Sequence, residues 1–468
     1  MRLKSAVAYT PLIASIALTI TACLTSGGGT SKLIFEPIND GAAYRVDSGT
    51  MIISNAILNE DIVRRVDDWR IRGAVIIPAI YNGKPVTEIG EHAFQGYSRL
   101  TSVTIPASVT AIGRHAFYYC IRLRTVTFTD DSQLQSIGAA AFDHCWNLTS
   151  IAIPASVTEI DDDAFSSCIN LVGITIPASV TEIGNRAFSS CSNLVGITIP
   201  ASITEIGNGA FSGSPRLTSI MVDTNNQHYS NEGGILYNKA KTELIAYPSA
   251  AGNIAISADV MAIGNSAFAE SYNLVTVTFT DDSQLQSIGA AAFAHCWNLT
   301  SVTIPASVTS IGNYVFNDCG YLISITVDEN NQHYSSEDGI LYNKAKTEII
   351  DIPRNISGHV TIPEGITEIG YNAFSWHTRL TSITIPATVT KIGMGAFSYC
   401  NLTSITIPAS VTEMGQFVFR NWTDKQTINV PFANQGAADA VWGTNWRDDI
   451  YNNTLRRISA RIVYQGGN

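Results

Sequence analysis

The chain predicts a β-rich solenoid, a stack of short coils with a parallel sheet on one face and tight turns on the other. Three observations carry this. An Ala-Phe pair or a near match recurs with its Phe at 94, 117, 142, 165, 188, 211, 268, 293, 316, 374, 397 and 419, mostly 23 residues apart. Leu171 to Asn193, LVGITIPASVTEIGNRAFSSCSN, begins again at once as Leu194-Val-Gly-Ile-Thr-Ile-Pro. Thr125 to Phe142 recurs letter for letter as Thr276 to Phe293, 151 residues on. A fixed period of this size marks stacked supersecondary units, none of which buries a core alone. Length is therefore no guide to domain number, because a solenoid grows by adding coils.

Each element of the unit follows from its letters. In Leu171-x-x-Ile174-x-Ile176 the apolar residues face one way while Gly173 and Thr175 face the other, as in a strand with one buried face. Pro177 has no N–H for a ladder and ends the strand. Val180 and Ile183 turn back inward, and Gly184 suits close packing or positive φ. Ala187-Phe188 fills the coil, and Ser-Ser-Cys closes it as a turn or short 3₁₀ segment. Two longer intervals hold VDTNNQHYSNEGGILYNKAKTELIAYP, from Val222, and VDENNQHYSSEDGILYNKAKTEIIDIP, from Val327. Each reads as a coil carrying a hairpin, with Asn238-Lys239 or Asn343-Lys344 in its turn.

Outside the repeat, residues 1–22 read as a secretory leader. Arg2 and Lys4 precede an apolar stretch, Ala6 to Thr21, that is interrupted by Pro11 and too short to span a bilayer. Ile20-Thr21-Ala22-Cys23 resembles the lipobox of bacterial lipoproteins, which implies cleavage before Cys23 and lipidation of that residue; the bland alternative is an ordinary signal peptide. Residues 23–31, with Gly27-Gly28-Gly29, then form a flexible tether. Residues 32–84 read as an N-terminal cap, with strands at Leu33-Ile34-Phe35, Tyr44-Arg45-Val46 and Met51-Ile52-Ile53. Ile62, Val63, Val66 and Trp69 suggest a short helix, and Asn82-Gly83 a hairpin. The solenoid spans 85–425, with hairpin-bearing inserts near 222–250 and 327–355. Residues 426–468, with Phe432, Trp442 and Trp446, read as the C-terminal cap.

Pro78-Ala-x-Tyr-Asn-Gly-Lys-Pro-Val-Thr-Glu-Ile-Gly, followed by repeated LTSITIPASVTxIGxxAFxxC, resembles the BspA-type bacterial leucine-rich-repeat proteins over about 75 to 432. The resemblance implies a right-handed leucine-rich-repeat solenoid in a cell-surface protein that binds host or matrix proteins or neighbouring cells. It brings no catalytic motif, cofactor or small-molecule substrate. The expected location is the bacterial cell envelope, as an outer-membrane or cell-surface lipoprotein held by its lipid anchor.

Net charge of −11, becoming −13 when Arg2 and Lys4 leave with the leader, argues against nucleic acid as a partner. Cys120, Cys145, Cys168, Cys191, Cys296, Cys319 and Cys400 each follow their Phe by three residues. The roughly 4.8 Å between stacked coils exceeds the ~3.8 Å usual for disulfide Cβ pairs, so free buried thiols are expected. No C-x-x-C points to zinc. His92 and His115 occupy equivalent places and read as a surface pair, since no third metal ligand repeats beside them. The two Asp-x-Asn-Asn-Gln-His-Tyr segments lack the Gly and Glu of a calcium loop, and Asp161-Asp162-Asp163 reads as a solvated turn. No hydrolase, phosphate-loop, zinc-protease or dinucleotide motif is present. Catalytic and metal residues are therefore expected to be none.

What remains is surface. The outward strand positions form hydroxyl columns: Ser102, Thr104, Thr125, Thr127, Ser150, Thr175, Thr198, Ser219, Thr276, Thr278, Ser301, Thr303, Ser382, Thr384, Ser404 and Thr406. Thr is simply a good strand former on a wet face; the functional reading is a shallow docking strip for an extended protein. A Thr array is also similar to ice-binding solenoids, against which the Ser and Gly interruptions count. Tyr118, Tyr119, Trp146, Trp297 and Trp376, beside the Phe positions, are candidate anchors at a rim or else cover the convex side. The expectation is a non-catalytic, protein-binding adhesin or interaction scaffold; the alternative is a structural envelope protein that binds copies of itself.

Overall fold

The polarity pattern of each coil sets two bends. Pro halts the strand and its carbonyl accepts the N–H three residues on, as in Val180 N–H to Pro177 O (3.1 Å) and Val308 N–H to Pro305 O (3.3 Å). The Ser of the following Pro-Ala-Ser then bonds back to the preceding coil, Ser108 to Val86 O at 2.7 Å and Ser410 to Val389 O at 2.8 Å. The computed structural model describes residues 73–81, 84–451 and 454–465, with short strands at Thr19–Ile20, Lys32–Leu33, Phe35–Glu36, Tyr44–Asp47 and Thr50–Ile53. Cys23, the tether and the Ile62–Trp69 helix expectation lie outside these residues. The chain is a parallel β-solenoid that divides into two units. One runs to Leu194 and includes Ser202–Gly207; the other takes Val195–Ala201 and Asn208 onward.

In the first unit the Leu-x-x-Ile-x-Ile strands form a wide parallel sheet, Gly73–Ile76 beside Leu100–Ile105 beside Thr125–Phe128. In the next two coils the sheet shrinks to one bridge, Ala152 to Thr175. A second, narrow parallel ladder, which the single-sheet expectation did not include, comes from the residue pairs ending in Ile. It joins Lys84–Ile89, Ala111–Ile112, Ser136–Ile137, Glu159–Ile160, Glu182–Ile183 and Glu205–Ile206. The strands flanking Asn82-Gly83 pair as the expected hairpin, Ile80 with Pro85 and Tyr81 with Lys84. Tyr44–Asp47 and Thr50–Ile53 are strands, as read from sequence, and Thr50–Ile53 runs parallel to Lys84–Ile89.

In the second unit, Gly196–Ile199 pairs with Ser219–Val222, and Ile254–Ile256, Thr276–Phe279, Ser301–Ile304 and Ser324–Val327 form a further wide sheet. The inserts hold one strand more than the expected hairpin. Tyr229–Glu232, Ile235–Asn238 and Glu243–Ala246 form an antiparallel meander, as do Tyr334–Glu337, Ile340–Asn343 and Ile349–Asp351. The meander's Gly234 and Gly339 carbonyls accept Ile220 and Ile325 N–H, both at 2.8 Å, so each meander closes one wide sheet. Glu243–Ala246 then starts a new narrow ladder with Ala262–Ile263. Gly234 has φ of 82°, which favours glycine, and a Cβ there would crowd Ser219 Cα at 3.0 Å.

The core is an aromatic spine inside each unit. Phe94, Phe117, Phe142, Phe165 and Phe188 stack in sequence with centroids 5.0, 5.1, 5.4 and 5.6 Å apart. In the second unit Phe268, Phe293 and Phe316 stack, with Tyr247 supplying the ring of the insert coil, and so do Phe374, Phe397 and Phe419. Beyond Phe419, Trp422 and Trp446 meet it edge-on at 5.0 and 6.1 Å. The helix Gln435–Trp442, capped by Asn434, brings Trp442 Nε1 to Val411 O at 2.8 Å. Wide-sheet pairing continues past 425, Ser404–Thr406 with Thr427–Val430 and that strand with Arg461–Tyr464.

Candidate functional site

The surface that could serve function is set by the turn around each Phe. Its N–H groups divide their work: those of His115, Phe117 and Tyr119 donate to Ala139, Ala141 and Asp143 of the next coil, while Ala116, Tyr118 and Cys120 bond three residues back. This alternation requires left-handed backbone two residues before and two after the Phe. His115 (φ 54°) and Tyr119 (φ 59°) show it, as do Ala140 and His144, Asn372 and Trp376, and Gly395 and Tyr399. Non-glycine residues pay roughly 1–2 kcal/mol for that conformation, against which the coil-to-coil hydrogen bonds weigh. The repeat segments form turns only; the one 3₁₀ helix among the described residues is Asn445–Arg447. Side chains at equivalent turn positions consequently stack coil on coil.

One such column is buried. Each Cys described donates its thiol to the Phe carbonyl one coil earlier, Cys145 to Phe117 O at 3.3 Å and Cys296 to Phe268 O at 3.0 Å among them. In the last coil Trp422 Nε1 takes the same role toward Phe397 O at 2.8 Å. All seven cysteines described are buried and in no disulfide. Burial holds Cys191, Cys296 and Cys400 up at about 12, so none is a poised nucleophile.

The acidic and amide segments are likewise absorbed by the fold. Asp161 caps its neighbour Asp162 N–H at 2.7 Å, Asp162 accepts from Asn185 N–H at 2.6 Å, and Asp163 holds Arg186 through two bonds of 2.9 and 2.8 Å. Asn331 is fully buried: its amide donates to Pro305 O (2.8 Å) and Val308 O (3.0 Å), and its oxygen accepts from His333 and Tyr334 N–H. Asn226 plays the same part in the first insert. Among the described residues no group of three or more His, Cys, Asp or Glu is placed to hold a metal. No described helix is long and apolar enough to cross a membrane.

The hydroxyl columns face outward. Thr127 and Thr175 in the first unit are exposed, as are Thr198, Thr278, Thr303, Thr384 and Thr406 in the second; Ser102 and Thr104 are half-buried. Neighbouring coils bond across the column, Thr303 to Thr326 at 2.8 Å and Asn429 to Thr406 at 3.2 Å. Sequence reading passed over His359, a lone ring in this strip. Its Nδ1 lies 2.7 Å from Ser382 Oγ and its Nε2 3.2 Å from both Thr361 and Thr384 hydroxyls.

The aromatic candidates fall into separate clusters. In the first unit His92 stacks on His115 (5.0 Å), His115 meets Tyr118 (4.9 Å), and Tyr118 meets Tyr119 edge-on (4.6 Å). Tyr119 lies flat on His144 at 4.3 Å, and Trp146 is 6.3 Å from both. Asp143 is 2.7 Å from His144; burial, ahead of that ring's opposing pull, raises its carboxyl above the usual range. In the second unit Trp376 stacks on Tyr399 at 4.0 Å with Arg420 over the Tyr, and Trp297 is half exposed above Gly320. The signal for these clusters was in the sequence, as aromatic residues at equal offsets from successive Phe.

Residues 87–218, 246–359 and 358–462 match the BspA type leucine-rich repeat region, in six copies. No curated protein matches the chain at a significant level. A leucine-rich repeat protein from Eubacterium ventriosum is similar at 25% identity and a TM-score of 0.50, covering 80% of this chain and 90% of its own. The pneumococcal vaccine antigen PcpA shares the fold at 19% identity and a TM-score of 0.50, covering 94% of this chain and 100% of its own. A leucine-rich cell surface protein from Faecalibacterium prausnitzii aligns at 27% identity and a TM-score of 0.43, over 92% and 95% of the two chains.

Proposed function

Since the chain belongs to the BspA-type leucine-rich-repeat family, we propose that it is a non-catalytic protein-binding scaffold of the bacterial envelope, held by lipid on Cys23. The observation that carries the reading is the pairing of an exposed hydroxyl strip with exposed rings on the adjoining turns. Tyr119 and Trp146 are each 38% exposed, and Trp297 and Trp376 about half. Rings of this kind are the usual anchors of protein interfaces, and repetition of weak contacts gives avidity. The thiols, Asp162, Asp163 and the two buried Asn, which also invite a chemical role, hold coil to coil instead.

The test has two arms. Protease treatment of intact cells should release fragments of the chain if it stands on the surface. Immobilised protein, residues 24–468, should retain defined host or matrix proteins, and lose them when Thr303 and Trp297 are replaced together. Retention of nothing except further copies of the chain refutes the adhesin reading and leaves a self-associating envelope protein.

A further inference from the structure

The two inserts differ where each hands over to the next coil. They share most of their letters, but Leu244-Ile245-Ala246-Tyr247 of the first becomes Ile349-Ile350-Asp351-Ile352 in the second. At the first, backbone bonds cross to the following coil. Met261 and Ala262 N–H donate to Thr242 O (2.7 and 3.0 Å), Gly264 N–H to Leu244 O (2.8 Å), and Tyr247 N–H to Ala267 O (2.8 Å). Glu243–Ala246 pairs with Ala262–Ile263, and the Tyr247 ring lies 4.8 Å from that of Phe268.

The second insert has no counterpart of these bonds among the described residues. Ile349–Asp351 pairs only with Ile340–Asn343 of its own meander, and Glu368–Ile369 only with Lys391–Ile392 of the coil after it. Among the described residues, no backbone hydrogen bond joins the chain up to Asn355 with the chain from Gly358 on. Ile352 offers no ring to Phe374. The Asp351 carboxyl faces back instead and accepts Phe316 N–H of the preceding coil at 3.4 Å. Two side-chain ties span the junction: His377 Nε2 lies 3.3 Å from Ile352 O, and Arg379 donates to Asn355 Oδ1 at 2.9 Å. The rest is apolar packing, with Tyr342 and Ile352 in one core cluster with Ile366, Ile369 and Phe374. Such packing is non-directional, so it holds the coils together without fixing their angle as a strand ladder does. The turn at Lys346 supplies a pivot, since a Cβ on Gly365 would strike Lys346 O.

We propose that this junction is a hinge, about which the coils from Gly358 on move as one block against the coils before the second insert. The hinge belongs to the fold and does not depend on the protein-binding reading.

The test is pulsed electron–electron spin resonance on the chain from Leu24 to Asn468, with spin labels on cysteines introduced at exposed strand positions. The buried thiols of the chain stay unlabelled. Thr303 and Thr384 flank the second insert, and Thr198 and Thr278 flank the first at equivalent places. Thr384 and Val463 lie wholly after the junction. The Thr303–Thr384 distance distribution should be about twice as wide as the other two, which should be similarly narrow. Arg379→Ala, at an exposed residue, removes one tie and should widen the Thr303–Thr384 distribution further while leaving the others unchanged. Equal widths across the two inserts overturn the hinge. A broad Thr384–Val463 distribution overturns it too, since the block would not then be rigid. So does indifference of the Thr303–Thr384 pair to Arg379→Ala.

Discussion

Gly184→Ala is the sharpest probe of how the coils are held. The φ of Gly184 is outside the left-handed region, so its conformation would suit alanine. Space would not. A Cβ on Gly184 would lie 2.5 Å from Asp161 C and 2.8 Å from Asp162 Cα, with Asp162 N closer still, and all three atoms are backbone. They cannot rotate away, so the two coils must part. That strains Gly184 N–H to Ile160 O (2.8 Å) and Asn185 N–H to the Asp162 carboxylate (2.6 Å). Overpacking costs about 1–3 kcal/mol and each weakened bond about 0.5–1.5 kcal/mol, roughly 3–5 kcal/mol together. The control lies in the same coil: a Cβ on Gly173 meets nothing within 4 Å, and Gly173→Ala should be neutral or stabilising by up to about 1 kcal/mol. Urea unfolding followed by circular dichroism reads both, and the Gly184 variant should lose about 1–2 M in midpoint. Equal midpoints for the two variants would sink the close-approach argument.

Four further outcomes are expected. Asn331→Ala should cost about 2–4 kcal/mol in the same unfolding assay, since it removes the four hydrogen bonds made by one fully buried side chain. Ala291→Gly, at φ 53°, should stabilise by about 0.5–1 kcal/mol, in line with the glycines at 209 and 395; destabilisation would contradict the left-handed assignment. Stability should fall from about pH 9 upward. Burial holds Cys191, Cys296 and Cys400 at about 12 in the folded chain, so the unfolded chain loses those protons first and is favoured as pH rises. In a Cys23→Ser background, a thiol reagent at pH 8 should find the seven buried thiols inert until the chain is denatured.

Much of the site was written in one dimension. The offsets of Tyr119, His144 and Trp146 from their Phe already placed them on neighbouring turns, and the outward Thr positions followed from strand alternation. Their roles did not follow. The cysteine spacing already spoke for buried thiols outside any disulfide, but not for their role as donors to the Phe carbonyls one coil earlier. His359 carries no signal in the one-dimensional pattern and proves to bridge three hydroxyls on two coils.

Period, strand position and the Phe spine were determined by the sequence alone, because a repeat writes the same local burial pattern into every coil and stacking has only to copy it. The left-handed turn positions, the second ladder and the meanders that close one sheet and open the next were decided by the tertiary structure. Hydrogen bonds to a neighbouring coil set them, and residues as different as Ala140, Asp163 and Trp376 take the same φ under that demand. Side-chain identity tells little where the backbone of the next coil imposes the conformation.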